Sequence, residues 1–291
     1  MNQFTIRDIE NLSGIKAHTW RIWEQRYKMG IAQRKESNHR FFDNDNLKKI
    51  LRIAYLYHSG IKISKIAALE TDEMKEMALS KLPKENGHEF YIKELIEAAI
   101  DLDEEKFERT FSEAEKNLGI EAVILNIINP FQEKIGVLWL TDHLIPAQEH
   151  FTSSIIMQKL IIAIDELPFV KNTAKKEILL FTPERERHEI PLQFVHYLLK
   201  KNQHKAIYFG CNTSLQNIEI YGQKRSFTYL FFHLVTNLTS FLPDEYLQQI
   251  SQRFPDKQII MSGIQVQQVT QIPENVRLLK SINETVEFTY E

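Results

Sequence analysis

The chain has a single cysteine, Cys211, among its 291 residues. An internal disulfide needs two, and a cysteine-built metal site needs at least that many, so both are excluded. Gly and Pro number only 9 each, far below the share that marks collagen-like or low-complexity chains, and no internal repeat is visible. No apolar stretch approaches the roughly 18 uncharged residues of a membrane-spanning helix. The opening MNQFTIRDIE lacks the basic-then-apolar pattern of a secretory leader. Catalytic signatures are missing too: there is no Gly-rich phosphate loop, no G-x-S-x-G and no H-E-x-x-H. These absences predict a soluble cytoplasmic protein that is not an enzyme and has no membrane partner.

What is present is an ordinary globular balance, 43% hydrophobic and 26% charged, over a length sufficient for two or three domains. The net charge of −3 conceals an asymmetry. Residues 1–69 carry 13 Lys and Arg against 6 Asp and Glu, a net of +7, whereas the remainder carries 23 against 33. A basic front on an acidic body suits a polyanionic partner at the front end.

Three segments follow from hydrophobic periodicity. Residues 1–75 hold short helices broken by tight turns. Residues 84–170 are helical throughout: EFYIKELIEAAIDL places Ile92, Leu95, Ile96 and Ala99 on one face, a second helix begins near Asp103, a third runs from Ile120 to about Trp139, and a fourth starts at Pro146. Four such helices make a bundle, with Met157, Leu160, Ile161 and Ile164 expected in its core. Residues 176–291 alternate strand candidates (EILLF, KAIYFG, SFTYLFFHLV, KQIIMSG, VRLLKS) with helical stretches, the last of them, IQVQQVTQ, weak. That alternation predicts a doubly wound, flavodoxin-like parallel sheet with ligands beyond the strands' carboxyl ends.

At the front, IRDIENLSG reads as a short helix closed by Gly14, and IKAHTWRIWEQRY restarts one, which makes a helix-turn-helix. The second helix would enter the major groove with His18, Thr19 and Arg21, and a turn later Arg26 and Tyr27. SNHRFF reads as the turn of a small wing, with Arg34, Lys35 and Arg40 set to line the sugar-phosphate backbone. Ile6-Arg7-Asp8, Gly14, Thr19-Trp20-Arg21-Ile22-Trp23-Glu24 and His39-Arg40-Phe41-Phe42 together resemble the MerR-type winged helix-turn-helix family. The resemblance spans about seventy residues. It implies double-stranded promoter DNA as partner, binding as a homo-oligomer (a dimer or tetramer), and DNA contacts from Arg21, Trp23, Tyr27 and Arg40, with His39 standing where the family's wing has Tyr; Trp20 is expected in the core.

Downstream, Trp139 is followed by nine residues and then Glu149-His150. The loop after the first strand of the last segment reads Glu186-Arg187-His188-Glu189-Ile190-Pro191. Trp-x9-Glu-His in a helical bundle, ahead of an α/β domain whose first loop carries D/E-x-H, is similar to the cobalamin-binding regulators of the MerR family. The resemblance implies that Trp139, Glu149 and His150 cap a corrinoid and that His188 is the cobalt ligand. Four departures point the other way. Pro191 stands where the family has Gly, Phe231 and Phe232 stand where small residues make a groove for the nucleotide tail, Ser262-Gly263 retains half of a Gly-Gly pair, and Leu140 replaces the His that follows the Trp in photosensory members. On balance the expectation is a regulator whose body has lost or altered its cofactor. A functional cobalamin-dependent, light-responsive regulator is the competing expectation, and a carrier module of a methyltransferase system is a third. His58, His196, His204 and His233 are expected as ordinary surface or core residues.

Overall fold

A computed structural model describes residues 4–27, 29, 33–34, 40–80, 88–141, 144–169, 176–236 and 242–291. The chain divides into two compact units, Met1–Ile155 and Ile156–Glu291.

In the first unit, α1 (Ile6–Ser13) and α2 (Ala17–Tyr27) form the helix-turn-helix. Gly14 between them has φ 69, a left-handed conformation that a Cβ penalises. Glu10 starts α2 by accepting from the Ala17 amide at 3.0 Å. A two-stranded antiparallel wing follows, β1 (Gln33–Arg34) paired with β2 (Arg40–Phe41), with Arg34 opposite Arg40. Asp43 and Asn46 form a reciprocal capping box at the start of α3 (Asn44–His58), worth about 1 kcal/mol. The short α4 (Ile63–Ile66) and α5 (Thr71–Ser80) complete the module, so the expected boundary at 75 falls inside α5.

The bundle helices are α6 (Glu89–Asp101), α7 (Glu104–Leu118), α8 (Ile120–Val123) continuing through a π turn (Ile124–Ile128) into α9 (Asn129–Leu140), and α10 (Pro146–Asp165), which passes into the second unit. The π turn immediately precedes Pro130, whose missing N–H would otherwise leave a carbonyl one turn back without its donor. Leu102, left-handed at φ 54, and the Asp103 cap turn α6 directly into α7. Phe107 packs edge-on against Phe131 and Phe151, with centroids 5.6 and 6.4 Å apart. Of the residues expected in the core of α10, Leu160 and Ile164 are buried, Met157 is half-buried and Ile161 is 50% exposed.

Residues 1–75 and the bundle helices α6 to α9 share this compact unit. The reason is visible at α9: Val137 joins the core built by Ile50, Ile53 and Met74, and the buried Arg52 of α3 donates Nε to the Leu140 carbonyl at 2.9 Å, with Nη2 on the same oxygen. A buried guanidinium capping the carboxyl end of α9 answers both an orphan carbonyl and the negative end of the helix dipole.

The second unit holds a five-stranded, wholly parallel sheet of β3 (Glu177–Pro183), β4 (Lys205–Thr213), β5 (Tyr229–His233), β6 (Gln258–Ser262) and β7 (Val276–Leu278) in the order β4-β3-β5-β6-β7. This is the flavodoxin-like order. Alternate residues of each strand serve opposite faces. Leu179, Phe181, Leu230, Phe232, Ile259 and Met261 pack on α12 (Leu215–Gly222) and α13 (Pro243–Arg253). Ile178, Leu180, Phe231 and Ile260 pack on α11 (Ile190–Lys201) and α14 (Ile282–Phe288). Sequence periodicity did not reveal α14, and the weak helix expected over 264–271 is a 3-10 turn, Ile264–Gln268.

Candidate DNA-reading helix and a carboxylate-held histidine

Helix α2 has two faces. Trp20 and Trp23 turn inward, edge to face at 5.3 Å, and Trp23 meets Tyr57 at 4.9 Å. Trp20 Nε1 donates to Ser13 Oγ at 3.0 Å, and that hydroxyl donates to the Ile9 carbonyl at 2.6 Å, so the turn is locked from below. Trp23, expected at the DNA, is only 7% exposed. It is a packing residue, because two aromatic neighbours enclose its ring. The outward face carries His18, Arg21, Ile22, Gln25 and Arg26, all exposed, with Thr19 and Tyr27 half-buried. The Arg26 guanidinium lies over the Tyr27 ring at 5.5 Å. Ile22 and Gln25 were not singled out from sequence, although His18, Ile22 and Gln25 follow the i, i+4, i+7 spacing of one helix face. Arg34 and Arg40 pair across the wing through their backbones. Lys35 and His39 lie outside the described residues.

In the bundle, Trp139 and Glu149 are half-buried and His150 is exposed. Glu149 accepts from Ser153 Oγ at 2.6 Å and stands 3.8 Å from His150 Nε2.

The loop after β3 is built more tightly than its charge suggests. Arg185 adopts φ 71 and donates its amide to Asn212 Oδ1 at 2.8 Å. Thr182 Oγ1 donates to the Glu186 carbonyl at 2.7 Å. These bonds turn the Glu186 side chain inward, where it is fully buried. One carboxylate oxygen accepts from the His188 amide at 2.9 Å and pairs with His188 Nδ1 at 2.7 Å. The other accepts from the amides of Val235 (2.9 Å) and Thr236 (2.7 Å) and from Thr236 Oγ1 (3.1 Å). Burial alone would push this carboxyl up; the bonds from His188 and Thr236 outweigh it and hold the group at about 2. His188 itself has a side chain 53% exposed. In the neutral ring, an Nδ1–H given to Glu186 puts the lone pair on Nε2, the arrangement by which carboxylates orient metal-ligating histidines. Among the described residues no group of His, Cys, Asp and Glu could hold a metal ion by itself.

Beside this loop, a cavity of about 220 Å³ is lined by Pro191, His233, Gly263, Ile264 and Lys280 among others. The volume is below the roughly 300–1,000 Å³ of whole small-molecule sites, so it suits one limb of a larger ligand. Phe231 and Phe232, expected to fill such a groove, instead belong to the two sheet cores: Phe231 stacks on Phe288 at 5.9 Å and Phe232 meets Tyr246 at 5.4 Å. Side chains alternate across a strand, so the next residue, His233, faces the cavity. His233 is half-buried: Nδ1 pairs with Ser262 Oγ at 2.8 Å, and burial lowers its pKa to about 4. Pro191 is likewise less disruptive than its position implies, because it occupies the first turn of α11, where the missing N–H has no helical partner to lose. Gly263 is required: φ is +102, and a Cβ would lie 2.8 Å from the Leu234 carbonyl carbon.

Residues 4–73 match the profile of the MerR HTH family regulatory proteins, and residues 91–164 match that of the B12 binding domain. The HTH-type transcriptional repressor CarA of Myxococcus xanthus is 26% identical over 212 residues, covering 72% of this chain and 68% of that protein. The HTH-type transcriptional regulator MlrA of Escherichia coli is 30% identical over 73 residues, 25% of this chain and 30% of MlrA. The Methanosarcina barkeri monomethylamine corrinoid protein superposes with a TM-score of 0.58 at 12% identity, covering 70% of this chain and 99% of that one, a likeness of fold. The chain thus joins a MerR-type helix-turn-helix domain to a B12-binding-type region. No helix among the described residues is long and apolar enough to cross a membrane.

Proposed function

We propose that this chain is a DNA-binding transcription regulator of MerR type, and that its α/β unit binds a corrinoid through His188. The DNA part rests on the matched domain and on the outward face of α2, where His18, Arg21, Ile22, Gln25 and Arg26 project from a helix fixed by two buried tryptophans. Arg21 and Arg26 supply charge toward phosphate or guanine, while the wing's Arg34 and Arg40 add backbone affinity. Two copies would read the two halves of a palindromic or tandem site.

One observation carries the corrinoid part. A fully buried carboxylate takes three donors from residues 235 and 236 on one oxygen, and on the other both the His188 amide and the Nδ1 of its exposed imidazole. A loop clamp needs the backbone bonds and has no use for the one that orients the imidazole. The 220 Å³ cavity with its obligatory Gly263 would take the ligand's tail, and Pro191 and His233 would wall it. His188 would furnish one nitrogen ligand to the cobalt that a corrinoid would supply there, and Glu186 would keep that imidazole in the competent tautomer.

The test is to incubate the purified chain with hydroxocobalamin in the dark and separate bound from free by gel filtration. Corrin absorbance should co-elute with the wild type and fall, or shift in its visible bands, in His188→Ala. Absence of corrin from the wild-type peak, or an identical spectrum and occupancy in His188→Ala, would refute the assignment while leaving DNA binding to its own assay.

A further inference from the structure

A second, larger cavity of about 540 Å³ opens on the opposite face of the sheet, beyond the carboxyl ends of β3 and β4. Three segments wall it: Glu184 and Arg185 after β3, Thr213 and Ser214 leading into α12, and Tyr246 and Arg253 on α13. Open parallel sheets take ligands at such ends, and the volume is that of a small-molecule site.

Its chemistry favours an anion at one end. Ser214 caps α12, accepting from the Asn217 amide, and the first amides of that helix have no intrahelical acceptor. Arg185 is exposed, held in place by its left-handed backbone and its bond to Asn212, and forms no ion pair among the described residues. Arg253 makes only a loose contact with Glu219, 3.5 Å apart with both side chains 37% exposed. The independent sign of a ligand is Tyr246. It is 6% exposed, and its hydroxyl is buried without a hydrogen-bond partner among the described residues. A hydroxyl stranded in this way is costly unless a partner arrives. Burial raises the pKa of this phenol, Glu184 adding to the rise and Arg253 opposing it, so it stays a donor at any physiological pH. Glu184 adds an acceptor, which a ligand bearing hydroxyls satisfies and a bare polyanion does not.

We propose that this cavity binds a phosphorylated sugar, free or within a mononucleotide, with the phosphate on the α12 amino end, Arg185 and Arg253, and the sugar hydroxyls toward Glu184 and Tyr246. The ligand would be an effector separate from the corrinoid, on the other side of the His188 loop. The inference does not depend on the corrinoid assignment.

The full chain should be titrated calorimetrically with inorganic phosphate, ribose 5-phosphate and AMP, alongside Tyr246→Phe, Arg253→Gln and His188→Ala. Saturable binding of ribose 5-phosphate or AMP, tighter than phosphate and weakened about tenfold or more in Tyr246→Phe and Arg253→Gln, is expected. AMP binding alone identifies the nucleotide as the source; equal binding of both identifies the phosphosugar. Tyr246→Phe removes only an unpartnered oxygen, so its unliganded melting temperature should match or exceed the wild type. His188→Ala should bind as the wild type does. No binding at millimolar ligand, equal affinity for phosphate and ribose 5-phosphate, or affinities untouched by both cavity substitutions would overturn the proposal.

Discussion

Glu186→Gln isolates the charge at the centre of the His188 loop while preserving its shape. In the folded chain the carboxyl falls from an ordinary 4.5 to about 2. Each unit of such a shift is about 1.4 kcal/mol of preference for the charged form, so the carboxylate contributes on the order of 3 kcal/mol at neutral pH. The hydrogen bonds give the same scale. An amide presents one oxygen where the carboxylate presents two, and its NH₂ would face either the Val235 and Thr236 amides or the His188 amide. Losing one or two charge-assisted bonds at about 1.5–3 kcal/mol each reaches the same figure. A carboxyl whose pKa is lowered on folding stabilises fully above about pH 4.5, and that stabilisation is lost as the pH falls toward 2. Urea unfolding of wild type and Glu186→Gln, followed by circular dichroism, should therefore differ by about 3 kcal/mol from pH 7 down to pH 5, with the gap closing as the pH approaches 3. A gap under about 0.5 kcal/mol at pH 7, or one that does not narrow in acid, would refute the account of a charge held by its neighbours.

Two further outcomes follow from the same geometry. Arg21→Ala should weaken binding to the cognate promoter about tenfold in a mobility-shift assay, and if Arg21 meets phosphate the slope of log affinity against log salt should shallow by about 1. Gly263→Ala places a Cβ against the Leu234 backbone at a left-handed φ of +102, so the thermal midpoint should drop by several degrees, matching roughly 2–4 kcal/mol.

The loop over residues 183–191 shows how sequence and structure divide the work. Its place between an apolar strand and an apolar helix, and its D/E-x-H spacing, were legible because periodicity and motif order are local. Its geometry was not. Whether Glu186 points inward depends on donors from residues 235 and 236, fifty positions away, and no local pattern encodes that pairing. Phe231 and Phe232 misled for a related reason: their size is in the sequence, but the faces they serve follow from the register of β5 between β3 and β6. Pro191 read as an obstacle until the start of α11 at Ile190 placed it in a first turn. Trp23 looked like a DNA contact by family position and is enclosed by Trp20 and Tyr57.

By itself the sequence determined the order of the elements short of α14, the turn at Gly14, the basic charge of the front end, the strands of a parallel sheet and the identity of His188 as the histidine at its first carboxyl end. Hydrophobic period, backbone freedom and charge are properties of neighbouring residues, so they survive without coordinates. Tertiary structure alone decided that residues 1–75 and the bundle helices α6 to α9 share one compact unit through Arg52 and Val137, that Glu186 is a buried anion, that Tyr246 is left without a partner among the described residues, and that cavities lie on both faces of the His188 loop. Each of these depends on which distant groups meet and on how much water is excluded when they do, and both are settled only by packing.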